Sequence, residues 1–153
     1  MTYNFVKVHT AKDLLISIII LGFGAGLFFI HKGLGIMLVI SGILALVFFK
    51  SGYRDPVTQV ILHKTCAETD KKCRQSLLDF ISGLIDEPEI VRTGVGAVVR
   101  IEMYHNLEEG VAYIQLFDFE NYNYVPATEI LSLDENRAAK LLYKLSSVTR
   151  NCR

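Results

Sequence analysis

The sequence predicts a membrane-anchored α+β protein: an N-terminal two-helix transmembrane hairpin followed by a small domain with an antiparallel sheet and two helices. Three observations predict it. Two oily runs stand almost back to back near the N-terminus. Neither run contains a charge. Everything after them alternates like strands or repeats like amphipathic helices. The organisation read from this is residues 1–50 for the hairpin, with helices at about 14–30 and 33–49, and residues 51–153 for a cytoplasmic α+β domain.

The hairpin comes first because its position decides the class. Mean hydropathy over the 153 residues is +0.34 and 51% of residues are hydrophobic, an excess that is concentrated in one place. Leu14 to Ile30 holds one polar side chain, Ser17, and Gly33 to Phe49 holds one, Ser41. His31 and Lys32 separate the runs. Each run has 17 residues, the short end of the roughly 17–25 that span a bilayer. Flanking Lys12, Lys32 and Lys50 extend their reach by snorkelling. The Leu, Ile and Phe residues of the first run contribute about −4 to −7 kcal/mol to insertion. A buried hairpin in a soluble core and a cleaved signal peptide compete with this reading. Helices apolar on every side are hard to cover in so short a chain. A second apolar run follows where a cleavage site would be expected.

Topology follows from the cations. Lys7 and Lys12 precede the first run, Lys50 and Arg54 follow the second, and only Lys32 lies in the turn. The positive-inside rule then places both termini in the cytoplasm, compatible with a bacterial inner membrane. Tyr3, Phe5, Phe48, Phe49 and Tyr53 stand where interfacial aromatics sit. Gly22 and Gly26 form a G-x-x-x-G in the first helix, and Gly35 and Gly42 are seven apart in the second. Small residues at such spacing let helices approach closely. Their nearest use is packing the two helices on each other. The same spacing also suits docking of another membrane protein or a second copy.

In the domain, Asp55-Pro56 opens a strand expected over about Val57–His63. Thr65 to Glu68 reads as a capping box for a helix running to about Ile85, ended by Asp86-Glu87-Pro88. That helix would carry Cys66 and Cys73 on one face, two turns apart and too far for a disulfide with each other. Thr93-Gly94-Val95-Gly96 marks a bend, and Val95, Ala97, Val99, Ile101 and Met103 alternate as a half-buried strand. His105–Gly110 reads as a turn, Val111–Phe119 as a central strand, and Tyr122–Ala127 as an edge strand containing Pro126. Ser132 to Glu135 reads as a second capping box, opening a helix with Ala138, Leu141, Leu142, Leu145 and Val148 on one side.

Chemistry is sparse. No phosphate-binding loop, H-E-x-x-H or G-x-S-x-G pattern is present. Cys66, Cys73 and Cys152 are expected as reduced thiols in a cytoplasmic domain, and no metal or other cofactor is expected. His63 and Cys66 would pair only if the chain folded back. Asp118 and Glu120 share a strand face and, with His105, form the best acid–base set for an enzyme acting on a lipid. Residues 50–153 carry 13 Lys and Arg against 15 Asp and Glu, which gives no support for nucleic-acid binding. Lys71, Lys72 and Arg74 are candidates for anionic headgroups. Five aromatics fall between Tyr113 and Tyr124, and Tyr122 and Tyr124 are the expected exposed members of a partner surface.

These features point to a small, non-enzymatic interaction or regulatory protein that holds a protein partner, or itself as a homo-oligomer, at the lipid bilayer. An immunity-type protein against a membrane-acting toxin and a bilayer-disturbing defence effector are the alternatives.

Overall fold

The computed structural model describes residues 4–91 and 98–148. Tyr3, the Thr93–Gly96 bend, the expected strand positions Val95 and Ala97, Cys152 and the tail from Thr149 lie outside those residues. The chain divides into two compact units, residues 5–61 and a larger unit built mainly from residues 62–153. The described residues hold four α-helices and seven strands, and every strand pairing described is antiparallel, an α+β layout.

The first unit opens with β1 (Val6–Val8), followed by α1 (Ala11–Phe28), α2 (Lys32–Phe48) and β2 (Gly52–Arg54). Among the described helices, α1 is long and apolar enough to cross a membrane, by length and composition. α2 is as apolar but shorter, with 17 residues. β1 pairs with β2, so that Val6 faces Arg54 and Val8 faces Gly52. Asp55-Pro56 does not open a strand. The Asp55 carboxylate accepts from the Val57 amide at 2.9 Å and the Thr58 hydroxyl at 2.8 Å, folding the segment into a turn that Gln59 completes with φ +61°.

The larger unit starts with β3 (Ile61–Asp70), and here the expected helix is overturned. Thr65 and Cys66 are strand residues, paired across β4 (Val98–Asn106) with Met103 and Glu102. Eight consecutive cross-strand pairs outweigh one local cap signal. The helical start lies at Asp70, whose carboxylate accepts from the Lys72 amide at 2.9 Å. A 3-10 turn (Lys71–Cys73) leads into α3 (Arg74–Ser82). α3 ends at Gly83, whose φ of +82° is the left-handed cap, ahead of the expected acidic exit.

β4 runs on through His105 to Asn106, so the turn is only Leu107–Gly110. β5 (Val111–Glu120) is central, with β4 on one edge. Its other edge carries β6 (Asn123–Pro126) toward one end and β7 (Leu131–Leu133) toward the other. Ser132 sits in β7 opposite Tyr113, so it is not a helix cap. α4 (Glu135–Val148) is capped instead by Asp134, which accepts from the Arg137 amide at 2.9 Å. Leu77 and Phe80 of α3 and Ala138, Leu141 and Leu145 of α4 pack on one face of the sheet. They bury Val99, Ile101, Met103, Ile114 and Leu116, the inward set of alternating strands.

Candidate membrane-anchoring site

α1 and α2 pack as an antiparallel pair joined by a turn at Phe29–His31. A Cβ on Gly24 would meet the Val39 amide at 2.8 Å, one on Gly35 the Phe28 backbone at 2.5 Å, and one on Gly42 the Leu21 side chain at 2.7 Å. Contact thus rises along α2 as it falls along α1, and at these levels only hydrogen fits. Gly35 and Gly42 therefore face α1. Gly22 and Gly26 do not face α2: each has open space where a Cβ would stand. With Phe23, Leu27 and Ile30 they line a shallow apolar groove of about 400 Å³ on the outer side. Gly24, between them, makes the contact that the G-x-x-x-G pattern suggested for its neighbours.

Burial on this pair is inverted relative to a water-soluble fold. The buried residues of α1 are Asp13, Ser17 and Gly24, and those of α2 are Gly35 and Gly42. The large apolar side chains point outward, with Phe23, Met37 and Phe48 each about two-thirds exposed or more and Ile30 at 84%. Water penalises such a surface at roughly 25 cal/mol per Å², whereas lipid tails do not.

A polar clasp closes the base of the pair. Asp13 is only 2% exposed, yet its carboxylate is well satisfied. It accepts from the Thr10 amide at 2.9 Å, the Ser51 amide at 2.9 Å and the Ser51 hydroxyl at 2.8 Å. The Asp13 amide in turn donates to the Thr10 hydroxyl at 3.3 Å, a complete capping box at the start of α1. Ser17 donates to the Asp13 carbonyl at 2.9 Å, and His9 Nδ1 contacts the Phe49 carbonyl oxygen at 2.9 Å. The start of α1 is thereby tied to the chain leaving α2. Sequence reasoning missed this clasp, although Thr10-Ala11-Lys12-Asp13 ahead of an apolar run is its signal.

In the larger unit the two candidate tyrosines part company. Tyr122 is 93% exposed at the β5–β6 turn, where Asn121 (φ +48°) and Tyr122 (φ +62°) both adopt the left-handed region. Tyr124 is half-buried and engaged. Its hydroxyl donates to Glu68 at 2.7 Å, and the Arg100 guanidinium lies 3.4 Å from its ring centre while also pairing with Glu68 at 2.9 Å. Burial works to raise the Glu68 carboxyl, but the Tyr124 and Arg100 bonds outweigh it and hold the group below the usual range. Tyr124 is therefore engaged in the fold's own polar lattice.

Asp118, Glu120 and His105 do not converge. Asp118 pairs with Arg74 at 3.2 Å, Glu120 is exposed at the strand end, and His105 lies opposite Ala112, six register positions from Asp118. Arg74 is thus committed to Asp118, leaving Lys71 and Lys72 as the exposed cations of that cluster. His105 Nε2 lies 2.9 Å from the Thr65 hydroxyl, and its pKa falls through burial and the neighbouring His63. His63 faces His105 across the strands, not Cys66. Cys66 is disulfide-bonded and Cys73 is a buried free thiol, which corrects the expectation of reduced thiols for Cys66. Among the described residues no three His, Cys, Asp or Glu side chains are grouped to hold a metal ion. No family model, curated protein or solved structure matches the chain.

Proposed function

We propose that this chain is a non-enzymatic interaction module anchored in a membrane. In this reading α1 and α2 cross the bilayer as a hairpin, and the α+β unit holds a protein partner, or a second copy, at the surface. The observation that carries the reading is the inverted burial of the helix pair, small and polar residues inward and large apolar residues outward. Leaving out a reaction is supported by the separation of Asp118 from His105 along the sheet. Tyr122, an exposed aromatic on a strained turn, is the best anchor for a protein partner. Lys7, Lys12, Lys50 and Arg54 at the base, against Lys32 at the turn, favour cytoplasmic termini.

A second reading of sidedness has its own support. The Cys66 disulfide favours a domain on the oxidising side of the membrane.

Two measurements test the proposal. After an alkaline carbonate wash the full-length chain should stay with the membrane pellet, with its N-terminal residues intact by mass. Release into the supernatant would remove the anchor, and loss of the first helix would make it a signal peptide. Cross-linking in mild detergent should then yield an oligomer or a defined partner, weakened by Tyr122→Ala. A monomer that captures nothing overturns the interaction role.

A further inference from the structure

The first unit gathers charge of one sign at one end. Lys7 lies in β1 opposite Tyr53, and Arg54 lies in β2 opposite Val6. Lys12 sits in the first turn of α1, next to the Asp13 carboxylate that binds Ser51, and Lys50 precedes Ser51. Four cations from distant stretches of chain therefore meet around the clasp, and all four are exposed. Residues 5–61 contain two acids, Asp13 and Asp55, which are 2% and 0% exposed and bonded within the unit. No exposed counter-charge from this unit offsets the collar. The opposite end of the pair carries only His31 and Lys32.

Lys12 adds an argument of its own. A cation in the first turn opposes the helix dipole, which favours acids there. Its local cost is offset if it answers negative charge outside the chain. Phe48 and Phe49, both exposed, mark the same end as the apolar boundary, and the Lys7 ammonium lies 5.9 Å above the Tyr53 ring. The cations thus flank helix ends whose sides are oily, at the depth where headgroups lie.

We infer that Lys7, Lys12, Lys50 and Arg54 form a binding surface for anionic phospholipid headgroups at the base of the hairpin. The inference rests on the reading of the helix pair as a membrane anchor. Lipid is the occupant favoured over an acidic protein because the collar is continuous with the outward apolar surface. A cation at such a surface is worth about fivefold in preference, screened by salt.

The test uses the full-length chain in nanodiscs of equal phosphatidylcholine and phosphatidylglycerol, with lipids retained on release counted by native mass spectrometry. Wild type should retain phosphatidylglycerol roughly tenfold over phosphatidylcholine. Lys7→Gln/Lys12→Gln/Lys50→Gln/Arg54→Gln should lose most of that preference, and the milder Lys7→Gln/Arg54→Gln should lose part of it. Lys71→Gln/Lys72→Gln should change nothing. Equal retention by wild type, or an unchanged preference in both collar variants, overturns the inference. So does a collar whose loss releases a co-purifying acidic protein without altering lipid retention. A chain that fails to enter nanodiscs refutes the anchor itself, whereas one that enters without lipid preference refutes only the collar.

Discussion

Glu68 and His105 are two groups of the larger unit whose shifts on folding make stability depend on pH. Glu68 is held below its ordinary range once burial is outweighed by the Tyr124 and Arg100 bonds. A carboxyl lowered on folding contributes stability above its unfolded value, about 4.3, and loses it as pH falls through the folded value. His105 moves the other way in charge: burial, then His63, favours the neutral ring in the fold. The unfolded chain takes its proton first, so stability falls as pH drops below about 6.5. Thermal melts of the detergent-solubilised chain should therefore show a decline beginning near pH 6.5 that His105→Gln flattens. A second decline, beginning only below about pH 4.3, should be reduced in Glu68→Gln. A single transition unmoved by either variant contradicts both assignments. At neutral pH, Tyr124→Phe removes a bond to a charged acceptor and should cost about 1–2 kcal/mol, read as a lowered melting temperature.

Elements show where local signals decide and where pairing overrides them. Stretches with a Ser or Thr three residues before an acid include Thr10 to Asp13, Thr65 to Glu68 and Ser132 to Glu135. Only the first becomes a capping box, because only there does a long apolar helix follow immediately. Thr65 lies in a strand whose neighbours Ala67 and Thr69 are buried, so pairing with β4 takes the segment. Ser132 is drawn into β7 by the free edge of β5, and Asp134 takes over the cap. The meander β4–β5–β6 was legible because alternation and turn residues agree. The β1–β2 ribbon was not, since three-residue strands leave no periodic trace. The glycines follow the same logic. Periodicity identifies small residues, but which side of α1 meets α2 is settled by packing alone. Gly35→Ala should force the helices apart at Phe28, costing on the order of 1–3 kcal/mol of hairpin stability. Gly22→Ala and Gly26→Ala should be neutral or stabilise by up to about 1 kcal/mol through helix propensity. Reversed effects in detergent melts would mean that the groove side, not the Gly24 side, carries the helix pair.

For the whole molecule, the apolar runs made the helix pair legible, whereas the clasp and the Glu68–Arg100–Tyr124 lattice depend on contacts between residues dozens of positions apart. Sidedness joins both kinds of evidence, and they pull in opposite directions. The cations around the hairpin base argue for cytoplasmic termini, since Lys and Arg near helix ends resist translocation. The Cys66 disulfide argues for an oxidising compartment, where a small domain keeps such a bond. In the cytoplasmic reading the lysines act at insertion, before the domain has folded, so they bias the side. The disulfide can only report it afterwards. Cells quenched in acid, denatured without reductant and treated with an alkylating reagent should leave Cys66 unmodified until reductant is added, and should label Cys73. An adduct on Cys66 without reductant would instead place the domain on the reducing face and uphold the orientation drawn from the lysines.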